Sequence, residues 1–476
     1  MDKKLRLMVG ALVLTVLALG APGQADAQSP PAKLSVNEQI LQILLERKIV
    51  SQQQYLRLKK QVEQERREQA GRYQAVYQPG QGLSLRAKDG SASVALTGRL
   101  QLDGKALVGD HSGHSSFYVR RARLAARVKW HRYFSAFVEA EFGKGKAALN
   151  DGYLTIAFQP RWRLRFGQFK QPFSLEELHS DNWIWTIERS LANRLVPSRD
   201  MGAMVFGDLG RGALYYFLSV YNGNGKNRAA DIDEAKDIAL RVTLAPLRYT
   251  GSRLFKDFYL GAAVTYGVQH SEAADWVGGG RLTTQAGTTW FKVDPAVRQN
   301  GGRLRWGVEL FWSVGPLAVM GEFMRVNYNG LELDTTGAEG EVGGTTTRDL
   351  AIWGGYGQVS WMITGEHVRF RGGKPAAVRP RRNFGWGAGQ GWGAWQLVFR
   401  YDFARADAAW LDMGYVDRDA YSDGARGFTL GLNWYLNEMV RCMVNFYSYR
   451  FDRDIVANTV RMSREQGFLA RIQLVF

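Results

Sequence analysis

Arginine recurs at alternate positions in this chain: Arg121, Arg123 and Arg127 in one stretch, Arg163 and Arg165 in another, Arg303 and Arg305 in a third. Arg99, Arg241, Arg400 and Arg471 each stand between apolar neighbours. Residues two apart in an extended chain point the same way, so each stretch carries guanidinium groups along one face and apolar groups along the other. A guanidinium is permanently charged and offers oxyanions a planar fork of donors, so such a face attracts small anions. The same arginines could instead pair with Glu139, Glu141, Glu309 or Glu322 across strands and only stiffen the wall. The summed field favours anions either way, because 62 Lys and Arg face 45 Asp and Glu, a formal charge of +17.

Covalent and metal chemistry find little footing. His111, His114, His131, His179, His270 and His367 stand in no nucleophile-elbow or metal-ligand spacing, and His111 and His114 flank a Ser-Gly pair as solvated loop residues do. The one cysteine, Cys442, can form neither an intrachain disulfide nor a cysteine-based zinc site. An enzyme such as a lipase or protease needs a nucleophile, base and orienter within reach of one another, and is the weaker reading. No nucleotide-binding loop occurs, so any flux is expected to be passive, without cofactor or metal.

The elements that position the arginines are strands. From about residue 83 the pattern has period two: Val94, Leu96, Leu100 and Leu102 alternate with Thr97, Arg99, Gln101 and Asp103, and Trp395, Leu397, Phe399 and Tyr401 alternate with Gln396, Arg400 and Asp402. A soluble sheet with one wet face alternates too. Three features favour a membrane barrel. Very short turns, such as Gln159-Pro160-Arg161 and Val314-Gly315-Pro316, contrast with long polar loops near residues 268–302, 327–350, 365–393 and 403–426, the asymmetry of periplasmic turns and outer loops. Aromatic residues cluster at strand ends, at Trp130, Tyr133, Trp162, Trp312, Trp361, Trp434 and Tyr435, where interfacial girdles belong. Finally, Phe468, Ala470, Ile472, Leu474 and Phe476 share one face, and a terminal Phe on such a strand is read as the signal for the barrel-insertion machinery. The expected fold is all-β: a transmembrane antiparallel β-barrel of about 16 strands over residues 81–476.

Lys3, Lys4 and Arg6 precede an apolar run from Leu7 to Leu19 and then Ala25-Asp26-Ala27, so residues 1–27 are expected to be a signal peptide. Export makes nucleic acid an improbable partner for the positive charge. Residues 28–80 open with Ser29-Pro30-Pro31 and end in Gln78-Pro79-Gly80-Gln81-Gly82. Ser35 with Glu38 and Ser51 with Gln54 make capping boxes ahead of apolar residues, which predicts a periplasmic helical hairpin or short coiled coil. A solvated leader remains the alternative. This region could tether the barrel to the cell wall or hold a trimer together.

The barrel residues resemble the phosphate-selective porin family O and P. The resemblance is carried by Arg165-Phe166-Gly167-Gln168-Phe169-Lys170, by Phe173-Ser174-Leu175-Glu176, by Thr186-Ile187-Glu188-Arg189-Ser190-Leu191, and by Leu430-Gly431-Leu432-Asn433-Trp434-Tyr435. It implies a homotrimer in the outer-membrane lipid, each barrel narrowed by inward loops and lined with arginines and lysines that draw phosphate in. Carried over, the constriction involves Arg99, Arg120, Arg121, Asp151 and Arg189; Lys170, Lys144 and Lys146 could add to the field or equally be solvated loop charges. Parity puts Arg99, Arg121 and Asp151 on the lumen face, whereas Arg120 sits at a strand start and Arg189 in a loop. Phosphate-selective members place lysine where this chain has Glu177, and the inward-loop candidate from Val268 to Gly302 holds only Arg281, Lys292 and Arg298. The implied function is passive diffusion of small anions, phosphate or polyphosphate among them; a general porin with an envelope-tethering role is the alternative. Anion preference survives the Glu177 departure better than phosphate selectivity does.

Overall fold

The computed structural model of the protein describes residues 36–476 apart from 71, 110–112, 144, 229–233, 274–275, 277–279, 335–344 and 388–389. The expected signal peptide, the Ser29-Pro30-Pro31 break, Ser35, His111 and Lys144 lie outside the described residues. The chain divides into two units, residues 1–72 and 73–476. The first holds helices Val36–Glu46 and Gln52–Ala70. The second helix opens on a reciprocal capping box: Ser51 N–H donates to Gln54 Oε1 at 2.9 Å and Gln54 N–H to Ser51 Oγ at 3.3 Å. The boundary falls earlier than the break expected after residue 80. Gln78-Pro79-Gly80-Gln81 is not a linker but the turn of a hairpin, Tyr73–Gln78 with Gly82–Ala87, whose second strand pairs with residues 93–96.

Sixteen antiparallel strands then form the wall: Ala92–Val108, Ser116–Trp130, Phe134–Glu141, Ala148–Gln159, Trp162–Lys170, Arg199–Leu209, Leu214–Tyr221, Asp237–Leu244, Asp257–Glu272, Val297–Val314, Leu317–Asp334, Thr345–Met362, Ala394–Ala406, Gly424–Tyr435, Val440–Ala457 and Val460–Val475. The last pairs with the first, from Gln466↔Val108 to Val475↔Arg99, so the sheet closes and leaves no edge in lipid. Alternation has its expected outcome. Leu96, Leu102, Leu154, Phe399 and Ile472 face outward, 45–59% exposed, while Gln101, Arg241, Arg400 and Arg471 are buried inside.

Phe476 completes the seam. Its backbone exchanges hydrogen bonds with Gly98, N–H to carbonyl at 3.0 and 2.6 Å, and its ring covers the Gly98 Cα so closely that a Cβ there would lie 2.3 Å from ring carbon. Deleting Phe476, or replacing Gly98 with valine, is therefore expected to lower the yield of heat-modifiable barrel while leaving the conductance of correctly inserted protein unchanged. Each backbone group left unpaired in lipid costs several kcal/mol. Normal yield of the deletion variant would remove the terminal residue from any part in assembly.

Two expectations about the rims need correction. The connection 363–393 is long, yet it lies on the rim of the short turns and of Phe476: strand Leu317–Asp334 leaves that rim, Thr345–Met362 returns to it, and Ala394–Ala406 leaves again. Length alone does not reveal side; counting strands does. Tyr435 is fully buried and donates its hydroxyl to Gln396 Oε1 at 2.7 Å, so it faces the lumen, whereas its neighbour Trp434 stacks on Trp395 in the outer girdle.

Candidate functional site: a narrowed, cationic lumen

The connection between Lys170 and Arg199 folds into the barrel instead of standing above it. Phe173, Leu175, Trp185, Ile187, Leu191 and Leu195 are buried, and the acids interleaved with them meet arginines on the wall. At the start of its helical turn, Leu175–Leu178, the N–H groups of Leu175 and Glu176 donate to the Glu322 carboxylate at 2.8 and 2.6 Å, satisfying donors a helix leaves open. Glu176 accepts from Arg400 at 3.2 Å and from the Ser190 hydroxyl at 2.7 Å; Leu191 N–H donates to Asp402 at 3.0 Å. Ile187 N–H reaches Asn445 at 2.6 Å and Arg441 donates to Ile184 O at 2.9 Å.

Further round the wall the pairing continues. Glu188 takes both Arg120 donors at 2.6 and 3.0 Å and lies 3.4 Å from Arg471, which grips Asp103 through two 2.7 Å bonds. Asp181 lies 3.3 Å from Arg121, 3.1 Å from Arg123 and 2.5 Å from Arg189. Arg120 reaches inward beside Arg121 because the register shifts between Gln101 and Leu102: Arg121 opposes the first and Val119 the second, leaving Arg120 as the bulged residue. Burial disfavours the charged forms of Asp181, Glu188 and Glu177, and the neighbouring cations override it. Asp181 is held well below the usual carboxylate range by Arg121 and Arg189, and Glu188 is likewise lowered by Arg120. Glu177, against Arg189 and Lys170, is held at about 2.

Two cavities flank this knot. One, about 510 Å³, is lined by Arg121, Glu177, Arg189, Arg194 and Arg281 towards the loop rim. The other, about 390 Å³, is lined by Arg99, Arg127, Asp151, Arg165, Arg241 and Lys374. Arg123, Lys170, Asp181 and Arg199 border both, so they stand at the narrows between them. The second cavity also receives the corrected connection. Its Phe370–Arg371 and Lys374–Pro375 pair enters from the Phe476 rim, Gly373 O accepts from Arg241 at 2.7 Å, and Lys374 faces the cavity. The narrows are thus approached by chain from both rims.

The structure brings Arg99, Arg120, Arg121, Asp151, Lys170 and Arg189 together. It also gives most of them carboxylates: Arg99 bonds Glu139, Asp151 bonds Arg199 at 2.9 Å, and Lys170 meets Glu177 at 2.8 Å. Arg241 pairs with Glu309 at 2.5 Å, and Arg303 and Arg305 sit 3.3 and 4.0 Å from Asp237. Arg127, Arg163 and Arg165 differ. Among the described residues they make no ion pair and lie instead over aromatic rings: Arg127 5.0 Å from Phe137, Arg163 5.7 Å from Phe206, Arg165 4.1 Å from Tyr153. Lys374 and Arg194 also lack a carboxylate within 4 Å among the described residues. Sequence reasoning missed these two together with Asp181 and Arg199; the acids alternating with apolar residues through 173–191 were the available signal for a segment that docks inside a charged wall.

The profile of the family described as Phosphate-selective porin O and P matches residues 94–476. Porin O of Pseudomonas aeruginosa is 24% identical over 438 residues, covering 83% of this chain and 91% of that protein. The anion-selective porin from Comamonas acidovorans is 13% identical, with 81% of this chain and all of that one covered at a TM-score of 0.50. The outer membrane protein OmpT of Vibrio cholerae, 8% identical, covers 81% of this chain and 98% of its own at 0.49. A profile match over the whole wall, on a closed sixteen-strand barrel with an inward segment and a cationic lumen, places this chain in the phosphate-selective porin O and P family.

Proposed function

We infer that the protein is a passive outer-membrane channel for small anions, and that its discriminating region is the pair of cavities around Arg123, Lys170, Asp181 and Arg199. The observation that carries this reading is the imbalance of charge at the cavity surfaces: Arg127, Arg165, Lys374 and Arg194 face the cavities without carboxylate partners among the described residues, while the carboxylates lining them are already paired. Reversal potentials of the purified protein in a potassium chloride gradient are expected to favour chloride. A cation preference would overturn the reading.

Glu177 bears on phosphate. As an uncompensated carboxylate it would repel a multiply charged anion, but here Lys170 and Arg189 counter it at 2.8 and 3.4 Å. Glu177→Gln frees Lys170 of its counter-charge and leaves Arg189 with Asp181 alone, so phosphate is expected to block chloride current more strongly in that variant than in the unmodified protein. The folded carboxyl is depressed to about 2. Its contribution to holding the inward segment is therefore complete above its ordinary range and is lost only as pH falls towards 2. Titration of Glu177 should accordingly leave conductance unchanged between pH 5 and 7. Equal phosphate block in both proteins would place selectivity elsewhere in the lumen.

The Phe476 rim is assigned to the periplasm, with the first helices on that side after removal of residues 1–27. A homotrimer is supported by the low side of the wall. Strands between Phe134 and Leu244 run 8 to 12 residues, and eight residues at ~3.3 Å and ~40° of tilt span only about 20 Å, short of a bilayer core. Outward Val138, Leu154, Phe166 and Leu218 there suit another copy's wall. Half-exposed Ile40, Ile43 and Leu56 in the first unit are consistent with a coiled coil in the same assembly, or with a cell-wall tether. Catalysis has no part in this reading.

A further inference from the structure

On the opposite, tall side of the barrel the outer surface carries a row of side chains in lateral register. Trp306 pairs with Arg325, Arg325 with Trp353 and Trp353 with Arg405; two residues along the next strand, Arg426 pairs with Arg450 and Arg450 with Arg464. These positions share the outward parity of Val359, Phe399, Leu430, Val444 and Phe468. Arg405 and Arg426 are more than half exposed, and Arg450 and Arg464 are exposed. Arg325 lies 5.3 Å from the Trp353 ring.

Three arginines in consecutive cross-strand register repel one another, and such like-charge neighbours weaken a sheet. Among the described residues only Asp452 offsets the row, 3.1 Å from Arg405 and 3.7 Å from Arg426, and Arg450 and Arg464 make no ion pair. Nothing within the barrel accounts for their placement, whereas an external anion bridging them would. The height narrows its identity. The Trp434↔Cys442 level marks one aromatic girdle, and the Arg426↔Arg450 level lies about eight residues away, ~20 Å at ~3.3 Å per residue and ~40° of tilt. Outward residues between on these strands are apolar or small apart from Gln466, which donates to the Ser448 hydroxyl at 2.9 Å. Arg405, Trp353 and Trp306 stand two residues farther, ~25 Å from the girdle and so at the height of an outer-membrane barrel's apolar band, and Arg426, Arg450 and Arg464 lie one pleat below that edge, from which their long side chains reach the loop-side head groups.

We propose that the Arg405, Arg426, Arg450 and Arg464 row, flanked by Trp306 and Trp353, is a binding surface for the phosphate groups of lipopolysaccharide in the outer leaflet. Arginine supplies forked donors to phosphate, and the adjoining apolar wall meets the acyl chains. The proposal rests on the orientation given above, with the loop rim outward. The test uses full-length protein in detergent, titrated with purified lipopolysaccharide and, separately, with its enzymatically dephosphorylated form, while bound lipid is read by native mass spectrometry. Arg450→Gln with Arg464→Gln is expected to weaken binding roughly ten- to thirty-fold, and dephosphorylation should weaken the unmodified protein's binding similarly. Undiminished binding by a variant that remains heat-modifiable, or equal binding of dephosphorylated lipid, would overturn the proposal. Chloride selectivity measured on the same preparations should not change, because these side chains lie outside the lumen. A loss of anion preference in the unmodified protein would sink the channel reading alone.

Discussion

Replacing Arg400 with methionine is expected to widen the pore and lower the thermal stability of the barrel. Arg400 is fully buried, lies 3.2 Å from Glu176 and 3.3 Å from Asp402, and donates to the Thr186 hydroxyl at 2.7 Å and to Glu188 O at 3.0 Å. Methionine fills much of the volume but leaves two buried carboxylates without their cation, a loss of about 3–5 kcal/mol when one partner of a buried pair is removed. The inward segment gives way before the wall, which is held by its ladder of inter-strand hydrogen bonds. Single-channel conductance should therefore rise and anion preference fall as the narrows open. Adding Glu176→Gln should recover part of the lost stability, because the two sites share one network. Lower stability with unchanged conductance would mean that Phe173, Ile187 and Leu191 hold the segment by apolar packing alone.

The second large effect concerns selectivity without loss of shape. Arg127→Gln, Arg165→Gln and Lys374→Gln together should move the reversal potential strongly towards zero. Each cation, about 7 Å from an ion in the cavity, contributes roughly 0.6–2.4 kcal/mol for effective dielectrics between 80 and 20. Removing three should reduce the anion-to-cation permeability ratio by on the order of ten-fold or more. Arg471→Gln is the informative contrast. It removes the same formal charge, yet Arg471 is opposed by Asp103 and Glu188, so it should cost stability and shift the reversal potential less. Equal shifts from both would show that summed charge, rather than unpaired charge, sets the preference.

What was legible in the sequence was local. Period-two alternation gives the side of Arg99, Arg121, Arg241, Arg303, Arg400 and Arg471 without knowledge of their partners, because the β-pleat alone decides it. What the charges do there was not legible. Arg400 and Glu176, or Arg471 and Asp103, are separated by hundreds of residues, and nothing near either one announces the other. A bulge hid the direction of Arg120, since one extra residue reverses parity locally. The connection 363–393 was assigned to the wrong rim because its length resembles that of an outer loop. Glu177 was recognisable as a departure from the family pattern, but its compensation by Lys170 and Arg189 required the fold of the segment they share.

Upstream Arg120 and Arg121 hold one flank of the inward segment, but its other holders lie far downstream: Asp402, Arg400, Arg441 and Asn445 belong to two of the last four wall strands, made more than two hundred residues later. A growing barrel that lacked those strands would therefore be not a small version of the finished pore but an unfilled trough. Constriction arrives with closure. A cell inserting this protein is spared a leaky intermediate only if the final strands are in place before the lumen spans the bilayer, so the timing of the last quarter of the chain is also the timing of the permeability barrier.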